Sequence, residues 1–153
     1  MTACALIFSY VEYLIPINIG VPGVKLGIAN VVIIVALYKL GTQYAFAINI
    51  VRIVTSALLF SGVFGMLFGL TGGVLSLIVM ALMKKLDIFS VTGVGVAGGV
   101  THNMGQLLTA ALLIANFTVI YYLPVLLISG ALAGFCVGFL ARIVLQKIGK
   151  RIV

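Results

Sequence analysis

The chain has 153 residues, 64% of them hydrophobic and only 7% charged, where an ordinary soluble domain carries about 25% charged residues. Nine basic and two acidic side chains cannot clothe a soluble globule of this size, so the composition excludes a water-soluble domain and calls for a lipid-facing surface. The net charge of +7 does not point to nucleic acid, because the basic residues sit mostly where helices end and form no stripe interleaved with aromatics.

Apolar runs fill the chain from end to end, and its mean hydropathy is +1.40. The runs do not alternate with polar residues as the strands of a membrane barrel must, which leaves an all-α membrane protein. A spanning helix takes about 20 residues, so about six fit with short connections and seven would leave almost none. The expectation is a single transmembrane domain over residues 1–153, a bundle of about six helices.

In chain order, span one runs from the N-terminus to about Ile15, short for a full crossing. It has no basic start and no small-residue cleavage pattern, so it does not read as a cleavable signal. A turn-rich connection from Pro16 to Gly23 follows. Span two covers about Lys25 to Leu40, and span three about Thr42 to Phe60. Glycines punctuate the next connection at Gly62 and Gly65. Span four reaches about Met83 and stops at Lys84, Lys85 and Asp87. Span five covers about Ile88 to Ala115, ended by Asn116, and span six about Ile120 to Gln146.

Charge sets the orientation. Lys39, Lys84, Lys85, Lys147, Lys150 and Arg151 follow even-numbered spans, whereas connections after odd-numbered spans carry only Lys25. Both termini are therefore expected in the cytoplasm of a multi-pass cell-membrane protein, with the connections near 16–24, 60–65 and 116–119 facing outward.

Small residues mark helix contacts. Gly130, Gly134 and Gly138 are spaced by four and lie on one face of span six, which reads as internal packing. Ala5 and Ser9 do the same on span one, and that face could instead dock a partner subunit. Cys4 and Cys136 lie in apolar runs and read as packing residues, not as a disulfide or a metal pair.

Polar groups inside a membrane are costly, so each needs a reason. The candidates are Glu12, Lys25, Asn30, Asn49, Arg52, His102, Asn103 and Gln106. The orientation places all of them at mid-depth or toward the outside. Asn49 and Arg52 are three apart and share a helix face, as do His102 and Gln106, four apart. Glu12 is expected to pair with Lys25 or Arg52.

Two readings stand for the cluster: the groups satisfy one another and fix helix register, or they line a pocket open to the outside for a small polar ligand. Clustering in depth favours the pocket. Its floor and wall would be Arg52, His102, Asn103 and Gln106, with Asn49 one turn before Arg52, Lys25 and Asn30 near the mouth, and residues 16–23 as a lid. Arg52 and Lys25 only donate, which suits an anionic or carbonyl-rich ligand. The amides of Asn103 and Gln106 donate and accept, which suits the edge of a heterocyclic ring.

Some chemistry has no visible machinery. The sequence has no G-x-x-x-x-G-K-[ST] motif for a P-loop, no clustered carboxylates to hold magnesium on a diphosphate, and no Ser-His-acid set. His102 has no cysteine or carboxylate at ligand spacing, so no metal site is expected. The chain reads as a non-enzyme without a resident cofactor. Energy for uptake would come from another subunit.

Four stretches carry a family resemblance: Val21 to Asn30 (VPGVKLGIAN), Thr71 to Ser76 (TGGVLS), Val100 to Gln106 (VTHNMGQ) and Tyr121 to Pro124 (YYLP). Over nearly the whole chain the sequence resembles the family labelled heptaprenyl diphosphate synthase component I, also called the Gx transporter family. That family in turn resembles the substrate-binding S components of energy-coupling factor (ECF) vitamin transporters. The resemblance implies six membrane helices, a ligand near the outer face capped by the first loop, and docking on a transmembrane coupling subunit with its ATPases. It also makes a flavin the first substrate candidate. The function expected is thus binding and translocation of a small vitamin-like molecule. The alternative is a membrane accessory of heptaprenyl diphosphate or quinone biosynthesis, which an acidic metal motif would have favoured.

Overall fold

The computed structural model describes residues 1–15, 27–115 and 117–149 of the chain. Its α-helices follow in the order α1 (Thr2–Leu14), α2 (Ile28–Lys39), α3 (Thr42–Ser56), α4 (Gly62–Leu86), α5 (Val91–Ile114) and α6 (Leu123–Lys147). A π-helical segment, Ala57–Ser61, joins α3 to α4, so the chain is helical without interruption from Thr42 to Leu86. A 3-10 segment, Phe117–Tyr122, leads into α6.

By length and hydropathy two stretches are able to cross a membrane, Thr42–Leu86 of 45 residues and Ile120–Lys147 of 28 residues. Thr2–Leu14 and Ile28–Lys39 are shorter apolar helices. The first of the long stretches is too long for one crossing at about 1.5 Å per residue, and it folds back on itself. Gly62, with φ 68°, reverses the chain after the π-helical segment. A Cβ built on Gly69 would lie 3.0 Å from Ile53, and one on Gly73 would lie 2.9 Å from Asn49, so α4 runs back along α3 on its glycine face.

The helix ends follow local chemistry. Ser90 caps α5, its hydroxyl accepting from Gly93 N at 3.1 Å. Pro124 stands in the first turn of α6, where no intrahelical donor is needed. Lys84 Nζ donates to Leu37 O at 2.7 Å and Lys39 Nζ to Ile148 O at 3.1 Å, placing cations on the carbonyl ends of α2 and α6.

Glycine sets the tightest contact. A Cβ on Gly95 would stand 2.7 Å from Gly134 O, and one on Gly130 2.8 Å from Gly99 O, so α5 and α6 touch backbone to backbone. The expected face of Gly130, Gly134 and Gly138 is thus an internal one.

The face of Ala5 and Ser9 is internal too. Ala5 is fully buried, and Ser9 Oγ donates to Ala5 O and accepts from Arg52 Nη1 of α3. The expectation that this face could dock a partner is corrected: α1 turns it toward its own bundle because Arg52 needs an acceptor there.

Helix α2 is apolar on every side and is enclosed, with Val31 to Leu37 all buried. It packs with Leu77 and Met80 of α4, Val91 and Val94 of α5, and Val137, Ala141 and Leu145 of α6. That core fills the end of the bundle where Lys39, Lys84, Lys85 and Lys147 lie. The outer surface is apolar as well: Leu58, Phe64, Ile88 and Leu112 are each at least 70% exposed, a distribution suited to lipid contact rather than to water.

Candidate functional site

The other end of the bundle is hollow. A cavity of about 480 Å³ sits where α1 meets the start of α2, α3 turns into α4, and α5 is followed by α6. Its deeper lining is polar, with Asn30 of α2, Arg52 of α3, and His102 and Gln106 of α5. Nearer the connections the lining turns apolar and aromatic, with Phe60, Phe68, Ile114, Tyr122 and Leu126. The volume lies in the range of small-molecule and cofactor sites, and the mix of an apolar wall with few polar groups is their usual composition.

Each polar side chain has a local cause for its place. Arg52 donates from Nη1 to Ser9 Oγ at 3.2 Å and from Nη2 to Asn49 Oδ1 at 2.7 Å. Its Nε is buried without a hydrogen-bond partner. Both hydrogen-bond acceptors are neutral, and the charge that acts on the guanidinium is the carboxylate of Glu12. Glu12 lines the same cavity, and its Oε1 accepts from Ile28 N at 2.6 Å. It therefore caps α2, whose N-cap Gly27 has no side chain to do so. Of the two partners expected for Glu12, Arg52 shares the cavity and interacts with it electrostatically, while Lys25 lies outside the described residues.

His102 and Gln106 reach the cavity because α4 and α5 approach through glycine. A Cβ on Gly105 would lie 2.8 Å from Gly72 Cα, and one on Gly72 would lie 3.1 Å from both His102 Cε1 and Gln106 Cγ. Any larger residue at these two positions would separate the helices and shift both side chains.

Four of the expected site residues line this cavity, and two others stand behind them in a different role. Asn30, Arg52, His102 and Gln106 line it. Asn49 does not: it is 2% exposed and stands behind Arg52, fixing the guanidinium. Asn103 does not line it either. It is buried, and its Nδ2 donates to Leu126 O at 2.8 Å and Ser129 Oγ at 3.3 Å, tying α5 to the first turn of α6. Its position one residue from His102 turns it about 100° around the helix, toward α6. Lys25 and the expected lid, residues 16–23, lie outside the described residues.

Sequence reasoning missed the apolar half of the wall. Phe60, Phe68, Ile114 and Leu126 look in the sequence like any lipid-facing residue, and no signal separates them. Ser56 and Ser61 also line the cavity and could have been found, since a serine in an apolar run at the depth of Arg52 needs a partner or water. Among the described residues no group of three or more His, Cys, Asp or Glu is placed to hold a metal ion. The arrangement offers donors and acceptors around a bound molecule.

The profile of the family described as heptaprenyl diphosphate synthase component I matches residues 1–144. No curated protein and no solved structure matches the chain.

Proposed function

We propose that this chain, which belongs to the heptaprenyl diphosphate synthase component I family, is a non-catalytic membrane subunit that binds a small molecule in its hollow end. The observation that carries this is the cavity of about 480 Å³ with Arg52, His102 and Gln106 at its deep end and an aromatic and apolar wall toward the mouth. In this reading the helices make six crossings, both termini are cytoplasmic, and the mouth faces outward. The basic residues at the filled end support that orientation.

The finer form of the reading is a substrate-binding subunit of the ECF type, taking a vitamin-like molecule with a flavin as first candidate and relying on a coupling subunit and ATPases. It rests on the sequence resemblance and on the cavity. A second reading is a membrane accessory of heptaprenyl diphosphate synthesis, working beside a synthase partner. The family description favours this one over a vitamin transporter. Both need the cavity to hold something: a polar ring compound in the first, the head of a prenyl diphosphate or its precursor in the second.

Native mass spectrometry on protein purified from its own membrane in mild detergent separates them. A bound heterocycle with copurified ATPase subunits supports the transporter. A bound isoprenoid with a copurified soluble synthase supports the accessory. Protein that carries neither and binds neither a flavin nor a prenyl diphosphate in titration would overturn the binding role.

A further inference from the structure

A second concavity lies at the opposite, filled end of the bundle, on the outer surface between the start of α3 and the end of α4. It is a groove of about 550 Å³ lined by Thr42, Phe46, Ile78, Leu82, Lys84 and Lys85, over Leu77 and Ala81. The cause is a change in residue size. Toward the α3–α4 turn the two helices close on Gly69 and Gly73. Below Gly73 the facing residues of α4 are leucine, isoleucine and alanine, and the seam opens.

The groove has an apolar body and a cationic end. Phe46, Ile78 and Leu82 are 37%, 46% and 58% exposed. Lys84 and Lys85 close one end, and neither acidic residue of the chain lines it. The first turn of α3 begins at the same end. Its N-cap is Gly41, with φ 102° and no side-chain cap, so the leading N–H groups of this 15-residue helix receive no side-chain acceptor. Lys84 Nζ is held by Leu37 O and lies 5.3 Å from the centre of the Tyr38 ring, so it adds charge to this end while Lys85 is the exposed cation.

We propose that this groove binds one anionic phospholipid, an acyl chain along Phe46, Ile78 and Leu82 and the phosphate at Lys85, Thr42 and the open turn of α3, within the field of Lys84. Charge complementarity commits the site to an anionic headgroup, and the apolar body commits it to a lipid rather than free phosphate. In the orientation proposed above, on which this point rests, the lysines lie on the cytoplasmic side, where anionic lipids gather in biological membranes.

The test compares lipid retention by native mass spectrometry after adding phosphatidylglycerol or phosphatidylcholine to the full chain in detergent. The parent should retain phosphatidylglycerol preferentially. Lys85→Gln, an exposed position, should lower that retention about five-fold, as expected for one lysine near a membrane surface. Leu82→Trp, which fills the groove without changing charge, should lower it as well. Lys147→Gln, a charge-matched change elsewhere at the same end, should leave it within two-fold, on the order of experimental scatter. Excess inorganic phosphate should not displace the lipid. No preference for phosphatidylglycerol, equal loss in Lys147→Gln, or displacement by phosphate would overturn the proposal.

Discussion

Arg52 Nη2 donates to Asn49 Oδ1 at 2.7 Å, from one turn of α3 to the turn before it. Asn49 is almost fully enclosed against Gly73 of α4, so the guanidinium is positioned by a side chain that never meets the cavity. Arg52→Ala should weaken binding of a flavin, or of whatever ligand the purified protein carries, by roughly 5- to 150-fold, the cost of one buried donor facing a ligand group. Asn49→Leu should weaken it too, by a smaller factor, because Arg52 then loses its support. Equilibrium titration in detergent reads both, and unchanged affinity in Arg52→Ala would leave these residues as structural glue.

Glu12 tests the difference between holding a helix and holding a ligand. Its carboxylate accepts from Ile28 N at the start of α2. Glu12→Ala should cost about 1 kcal/mol of stability, the usual value of a lost helix cap. Glu12→Gln, which keeps an oxygen acceptor, should cost less and leave ligand selectivity intact. Thermal unfolding and ligand titration on the same samples decide it, and a change in selectivity larger than the change in stability would place Glu12 on the ligand.

The α5–α6 seam has no room for a methyl group. Gly99→Ala and Gly134→Ala should each destabilise the bundle by about 1–3 kcal/mol or more, because a Cβ at either site presses on backbone of the facing helix. Gly93→Ala is the matched control: its Cβ would meet only Ser90 Oγ, at 3.5 Å, so stability should hold or rise. Equal losses in all three would mean that the seam does not set the result, because the gain in helix propensity from glycine to alanine is common to the three sites.

Bulky replacement at Ala5 should damage the fold itself. Ala5 is fully buried, so Ala5→Leu should lower the unfolding temperature of the isolated chain. An unaltered unfolding temperature combined with a lost copurifying subunit would restore α1 as a docking surface.

Orientation is open to direct chemical measurement. The native thiols of Cys4 and Cys136 are free and exposed, so they are first replaced by alanine. Single cysteines at Asn18 and Asn116 should then react in whole cells with an impermeant thiol reagent, and one at Lys85 should not. The reverse pattern would turn the cavity mouth toward the cytoplasm.

The helix ends could be read from the sequence because they are written in residue types with one physical use there. Lysines after Tyr38 and Met83 and glycines at 41 and 62 mark stops and starts that the structure places within a few residues. That Asn30, Arg52, His102 and Gln106 gather at one end of the bundle was legible from their positions along the spans. The division of labour within the polar cluster was not. Asn103 and Gln106 carry the same amide, yet one is consumed by Leu126 O and Ser129 while the other faces the cavity. A helix of known length fixes their angular separation but not which neighbour stands at each angle. The π-helical segment at 57–61 was also invisible, since Ala57 to Ser61 has no composition that departs from an α-helix.

The enclosure of α2 makes it a strut. One end, at Gly27 and Asn30, belongs to the cavity; about 15 Å along, at roughly 1.5 Å per residue, the carbonyl of Leu37 holds Lys84 at the mouth of the surface groove. Between them every side chain from Val31 to Leu37 is packed on all sides, so there is no slack to absorb an axial shift. A molecule that pushes on the Gly27 end must either leave α2 where it is or strain the Lys84 contact on the opposite face of the bundle.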